Sequence, residues 1–125
     1  TPGRTLFPYT TLFRSLITDA DLIFCTAKAG IRVLNANVLA EAKRLKVAGD
    51  VNAVPPTGIE GIEAKDRAKP LTLASQATNA VGVGSLAVGN VKYQLQHELL
   101  KSMLETDHPL YIDFRQAFTM ARTLV

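Results

Sequence analysis

Asp50-Val51-Asn52-Ala53-Val54-Pro55-Pro56-Thr57-Gly58-Ile59-Glu60-Gly61-Ile62-Glu63 is the stretch on which the reading of the fold turns. Val47 to Val51 is short and partly β-branched, as a strand end would be. Asn52 opens a polar turn, and the Pro55-Pro56 pair cannot donate backbone hydrogen bonds, so strand pairing must stop there. Gly58 and Gly61 follow, where backbone angles closed to other residues become accessible. A stiff loop at the carboxyl end of a strand is where open α/β sheets place their ligands.

Upstream, Leu22-Ile23-Phe24-Cys25-Thr26 is a continuous apolar run of strand length, expected to be buried on both faces of a parallel sheet. The loop after it, Thr26-Ala27-Lys28-Ala29-Gly30, is built mostly from small residues. Small side chains let a cofactor approach the backbone, but they also suit a plain tight turn, and the residues alone leave both readings open. Ile31 to Lys46 contains a helix with Val38, Leu39, Ala42 and Leu45 on one face and Asn35 or Asn37 as its cap. The order strand, helix, strand reads as one βαβ crossover and a parallel pair. The fold class expected is therefore α/β, a partial Rossmann-like parallel sheet with flanking helices.

Downstream, residues 54–78 show little regular structure. Glu60, Glu63 and Asp66 invite a carboxylate site, but with no His or Cys nearby they read better as solvated loop charges. Gly82-Val83-Gly84-Ser85-Leu86-Ala87 has the G-x-G-x-x-A form of a dinucleotide fingerprint. The fingerprint needs a preceding βαβ start and an acid about 20 residues on. Asp107 lies beyond that distance, so the run reads as a close-packed terminal strand. Val91 to Leu104 reads as a helix with Leu95, Leu99, Leu100 and Met103 as an apolar stripe suited to a core. A last helix is capped by Asp113, with Phe114, Ala117, Phe118, Ala121 and Leu124 on one face. His97 and His108 read as ordinary polar residues, and no metal-ligand spacing or internal repeat is present.

The 125 residues predict one main domain, and the apolar share of 47% supports a core. No uncharged apolar run reaches bilayer length, which argues against a membrane partner. One cysteine, Cys25, fits a reducing compartment and reads as a buried inert thiol inside its strand. The net charge of +3 is no argument for nucleic acid, because Lys and Arg are scattered among acids. Thr5 to Ser15, TLFPYTTLFRS, moreover resembles the translation of a common DNA sequencing adapter. Residues 1–15 then form an artefactual extension. Without Arg4 and Arg14 the charge of residues 16–125 falls to +1 from the +3 of the whole.

DVNAVPPTGIEGI also resembles the signature of the bacterial NAD(P)-dependent methylene-tetrahydromethanopterin and methylene-tetrahydrofolate dehydrogenases. Gly84-Ser85-Leu86-Ala87-Val88-Gly89-Asn90-Val91-Lys92-Tyr93-Gln94 resembles the last strand and helix start of the same family. The resemblance runs from about Leu16 to Val125 and looks like the C-terminal part of a protein more than twice as long. It implies a cytoplasmic enzyme that moves a hydride between a reduced pterin or folate and NAD(P), and a parent that is a homo-oligomer. It also implies that Thr26, Ala27, Lys28, Gly30, Asn52, Ala53, Val54 and Pro55 lie at the nicotinamide. Lys92, in Gly89-Asn90-Val91-Lys92, then faces the pterin as the catalytic residue, in the first turn of its helix. The glycine-rich phosphate loop and the residues that read the ribose 2′ position are missing from this chain, so the fragment itself is expected to be inactive. Two other classes compete: a small nonenzymatic α/β nucleotide-binding module and an inert truncated product. Among enzymes, a folate dehydrogenase–cyclohydrolase or a shikimate dehydrogenase-like domain is the nearest competitor.

Overall fold

The computed structural model describes residues 13–125, so most of the adapter-like stretch lies outside the described residues. Helix α1 covers residues 13–19 and runs across the Ser15–Leu16 junction. Four strands follow in chain order with one short helix between the first two: β1 (Leu22–Cys25), α2 (Ala36–Leu39), β2 (Val47–Asp50), β3 (Lys69–Pro70) and β4 (Val81–Val83). Helices α3 (Ser85–Leu104) and α4 (Phe114–Ala121) complete the chain. The sheet order is β1-β2-β4-β3. β1, β2 and β4 are parallel, and the two-residue β3 runs antiparallel on the edge. The fold is thus mixed α/β with an open, mostly parallel sheet, a partial Rossmann-like arrangement. Two compact units result, one up to Ala87 and one from Val88 to Val125.

The core of the first unit comes from the face expected for α2. Val38, Leu39, Ala42 and Leu45 are all buried, with Leu34, Ala48, Ile59 and Ile62 packed in the same cluster. The helix itself stops four residues after its Asn35 cap, whose Oδ1 accepts from Val38 N at 3.1 Å. The residues beyond it send their amides elsewhere: Lys43 N donates to Thr18 O and Lys46 N to Asp21 O. Each such bond removes a donor from the helical ladder, so the apolar face survives while the regular helix ends.

β1 corrects one expectation. It is an edge strand, and only one of its faces is covered: Cys25 is buried, whereas Leu22 and Phe24 are 55% and 70% exposed. The start of α3 corrects another. The helix begins at Ser85, not near Val91, so the glycine run is a three-residue strand followed at once by helix. Gly89 and two valines in its opening turns lower helix propensity enough to hide it. The apolar stripe of α3 is also not core. No residue of the helix is buried, and Leu100 is 61% exposed. α4 forms as expected, with a capping box made by Asp113 and Gln116, but Phe114 and Phe118 face solvent.

Candidate functional site

The carboxyl ends of the neighbouring parallel strands β1 and β2 open into the two loops singled out by sequence. Cys25 leads into Thr26–Gly30 and Asp50 into Val51–Thr57. One buried carboxylate organises the second loop. Asp50, 1% exposed, accepts from Asn52 N through Oδ1 and from Ile59 N through Oδ2, each at 2.9 Å. The chain between those two amides is thereby folded back on the strand end. Gly58 sits where this fold-back is tightest. A Cβ there would overlap Cys25 Sγ and press on the Asp50 carboxylate, and the Gly58 carbonyl accepts from both Val33 N and Leu34 N. The Pro55-Pro56 peptide is cis.

Asn52 links the two loops. Its Oδ1 accepts from Gly30 N at 3.3 Å and from Val54 N at 3.0 Å, while Nδ2 donates to Pro56 O at 3.2 Å. Gly30 turns toward it with φ 77°. Of the residues expected at a nicotinamide, Thr26, Ala27, Lys28, Ala53, Val54 and Pro55 are exposed, Gly30 is half-buried and Asn52 is buried. These eight sit on the two tied loops. A cleft of about 160 Å³ on the β1 side is lined by Thr26 and Ala27 together with Phe13, Phe24 and Val33. That is small beside the roughly 300–1,000 Å³ of complete small-molecule sites.

Lys92 is on neither loop. It lies in the second unit, on the exposed surface of α3, about two turns beyond Ser85 and not in the first turn of its helix. Its side chain makes no ion pair with the described residues.

The turn from β4 into α3 has the strand-then-helix context of a phosphate-binding fingerprint, and yet two of its amides are taken. Gly84 N donates to Asp66 O at 2.9 Å and Leu86 N to Ala64 O at 2.8 Å. A Cβ on Gly84 would overlap the carbonyls of Glu63 and Ala64. The glycine is there for backbone packing against residues 63–66, and a pyrophosphate would have to displace two carbonyls that already satisfy those amides. Those two amides are closed to a phosphate, while the buried Ser85 Oγ of the same turn has no hydrogen-bond partner among the described residues.

The three loop acids divide. Glu63 is solvated, as expected. Glu60 is half-buried, accepts from Ala36 N at 2.7 Å and pairs with Arg32 at 3.5 Å. Asp66 is buried and accepts from Glu63 N at 2.8 Å. Both are scaffold groups that sequence alone did not separate from surface charge. Asp50 was missed as well, although Asp50 and Asn52 each accept from the amide two residues on, the pattern of consecutive Asx turns. Among the described residues no group of acidic, His or Cys side chains could hold a metal, and no helix is long and apolar enough to cross a membrane.

The two loops are bound together at adjacent carboxyl ends of parallel strands, the end of the sheet at which open Rossmann-like folds place ligands. Comparison with known proteins narrows this class. Over 108 residues, 86% of its length, the chain is 48% identical to the NAD(P)-dependent methylenetetrahydromethanopterin dehydrogenase of Methylorubrum extorquens. It is 22% identical over the same share to the bifunctional protein MdtA of that organism. The chain spans about a third of the length of each, 35%. No family model matches. The resemblance read from DVNAVPPTGIEGI is borne out by the first of these relatives.

Proposed function

We propose that this chain is part of an NAD(P)-dependent dehydrogenase acting on a methylene-tetrahydropterin, and that the loops 26–30 and 52–55 receive the nicotinamide end of the cofactor. The observation that carries the reading is the 48% identity to the curated dehydrogenase over nearly the whole chain. The two tied loops at strand carboxyl ends support it from geometry. Exposed Ala27, Ala53, Val54 and Pro55 offer apolar surface to a flat ring, with Thr26 and Lys28 beside them as polar contacts. When bound, the nicotinamide supplies the hydride acceptor, and the protein's task is to orient it and keep water away. Acid–base machinery is dispensable for such a transfer, in keeping with the lack of any catalytic dyad in the sequence. A reducing compartment suits the single buried thiol.

Lys92 belongs to the reading as the residue that faces the pterin. An ammonium there would orient the substrate or influence charge as the cationic product forms. The test is a steady-state assay of the protein translated from the continuous genomic frame through Leu16, with methylene-tetrahydromethanopterin and methylene-tetrahydrofolate and with NAD and NADP. Reduction of either cofactor is expected. In that protein Lys92→Ala is expected to lower turnover by about ten- to a hundredfold, roughly 1–3 kcal/mol of barrier, with cofactor affinity unchanged. Absence of turnover with both pterins defeats the dehydrogenase reading, and unchanged kinetics in the variant returns Lys92 to plain surface.

A further inference from the structure

The structure assigns Asn52 a different task from touching the cofactor: we propose that it is a positioning residue, a clamp that makes loops 26–30 and 52–56 one cofactor-facing body. The inference rests on the dehydrogenase reading for its kinetic part only. Asn52 is 5% exposed, and its amide group is committed inside the protein. Oδ1 has two lone pairs and receives two amides, Gly30 N at 3.3 Å and Val54 N at 3.0 Å. Nδ2 donates to Pro56 O at 3.2 Å. Only this orientation of the amide group satisfies all three backbone partners, because the reverse would set N–H groups against N–H groups. One donated amide comes from the other loop, 22 residues away in sequence, and the other two contacts lie within its own loop.

The site around Asn52 explains why an amide side chain is needed there. Asp50, two residues earlier, fixes the backbone of Asn52 by accepting its N–H, so the side chain leaves the strand end in one direction. Gly30 receives that side chain with positive φ and has Val54 Cγ1 and Pro55 O close to where a Cβ would stand. Among the described residues, the hydrogen bond between loops 26–30 and 52–56 is the one that Asn52 Oδ1 accepts from Gly30 N. A ring lying on both loops is held at the angle this joint sets. Reactive geometry is sensitive to such placement, and a misplacement of about 1 Å can cost a hundredfold in rate.

The chemistry of the joint separates two substitutions. Asn52→Asp keeps an acceptor for Gly30 N and Val54 N but sets a carboxylate oxygen against Pro56 O and adds a charge to a buried site beside Asp50. Asn52→Ala loses all three. Two measurements are made on each variant. Amide hydrogen exchange of the 125-residue chain follows Gly30 and Val54, with Ala48 in β2 as the control for global unfolding. Kinetics of the longer protein follow the Michaelis constant for NAD(P) and turnover. In Asn52→Ala, protection at Gly30 and Val54 is expected to vanish together while Ala48 stays protected. The Michaelis constant for NAD(P) should then rise about tenfold or more, and turnover should fall. Asn52→Asp should keep both protections while lowering global stability, read as a lower urea midpoint. Loss of both protections in Asn52→Ala with no change in the Michaelis constant overturns the proposal. So does an Asn52→Asp variant that loses both protections while Ala48 stays protected, because the shared acceptor would then not be what holds the loops. Independent exchange behaviour of Gly30 and Val54 overturns the clamp itself. A wild-type protein without turnover defeats the dehydrogenase reading, and the exchange arm then decides the clamp alone.

Discussion

Asp50 gathers two backbone amides on one buried carboxylate, and so the loop that follows depends on a single side chain. Asp50→Ala leaves Asn52 N and Ile59 N unpaired. A buried donor without a partner costs about 1–3 kcal/mol, so with two of them the variant should lose about 2–6 kcal/mol of stability. Urea unfolding measures this as a lower midpoint at an unchanged slope. A loss below about 0.5 kcal/mol, the size of an ordinary surface change, would contradict the assignment. At this scale the sequence was partly legible. Asn52 was recognisable as the start of a polar turn, and the small residues of Thr26–Gly30 were recognisable as a loop. Nothing in spacing showed that Asn52 would be turned inward, because that depends on Gly30 arriving from the neighbouring strand. Asp50 was hidden for the same reason: its second partner, Ile59, lies nine residues away across a proline pair.

β1, β2, β4 and the last helix were legible as elements; the edge strand β3 lies in residues 54–78, where little regular structure was expected, and the other exceptions have local causes. α2 stops early because residues 43–46 bond to the segment before β1. α3 begins where Leu86 N donates to Ala64 O, a tertiary contact invisible in propensity. α4 matched expectation down to its cap, and the cap gives a pH prediction. The Arg115 side chain, and then the Arg115 backbone amide, hold the Asp113 carboxyl below the usual carboxylate range. The folded value lies below the unfolded one, so the stabilisation is fully present above the ordinary carboxylate pKa. It is lost as pH falls through the lowered value. Helical exchange protection at Ala117 should therefore decline on acidification below the ordinary carboxylate range, and Asp113→Ala should remove the dependence. Equal pH profiles for the two proteins would contradict it.

On the scale of the whole molecule, each compact unit leaves large apolar side chains open. Leu22 and Phe24 on β1, and Phe114 and Phe118 on α4, lie open, in a chain that spans about a third of its curated relatives. The fold class was readable because three parallel strands left short apolar runs between turn signals. The reach of the site was not, because a lone G-x-G-x-x-A run looks the same whether its amides await a phosphate or already hold carbonyls. The central claim is that this chain receives the nicotinamide end of a dinucleotide at loops 26–30 and 52–55 and holds no pyrophosphate at the β4–α3 turn. The most direct measurement is an amide-resolved NMR titration of the 125-residue chain with NAD and with NADP. The account predicts weak, millimolar binding with shifts at Thr26–Gly30 and Ala53–Val54 and none at Gly82–Ala87. Low-micromolar affinity, or shifts centred on Gly82–Ala87 with the two loops silent, would contradict it.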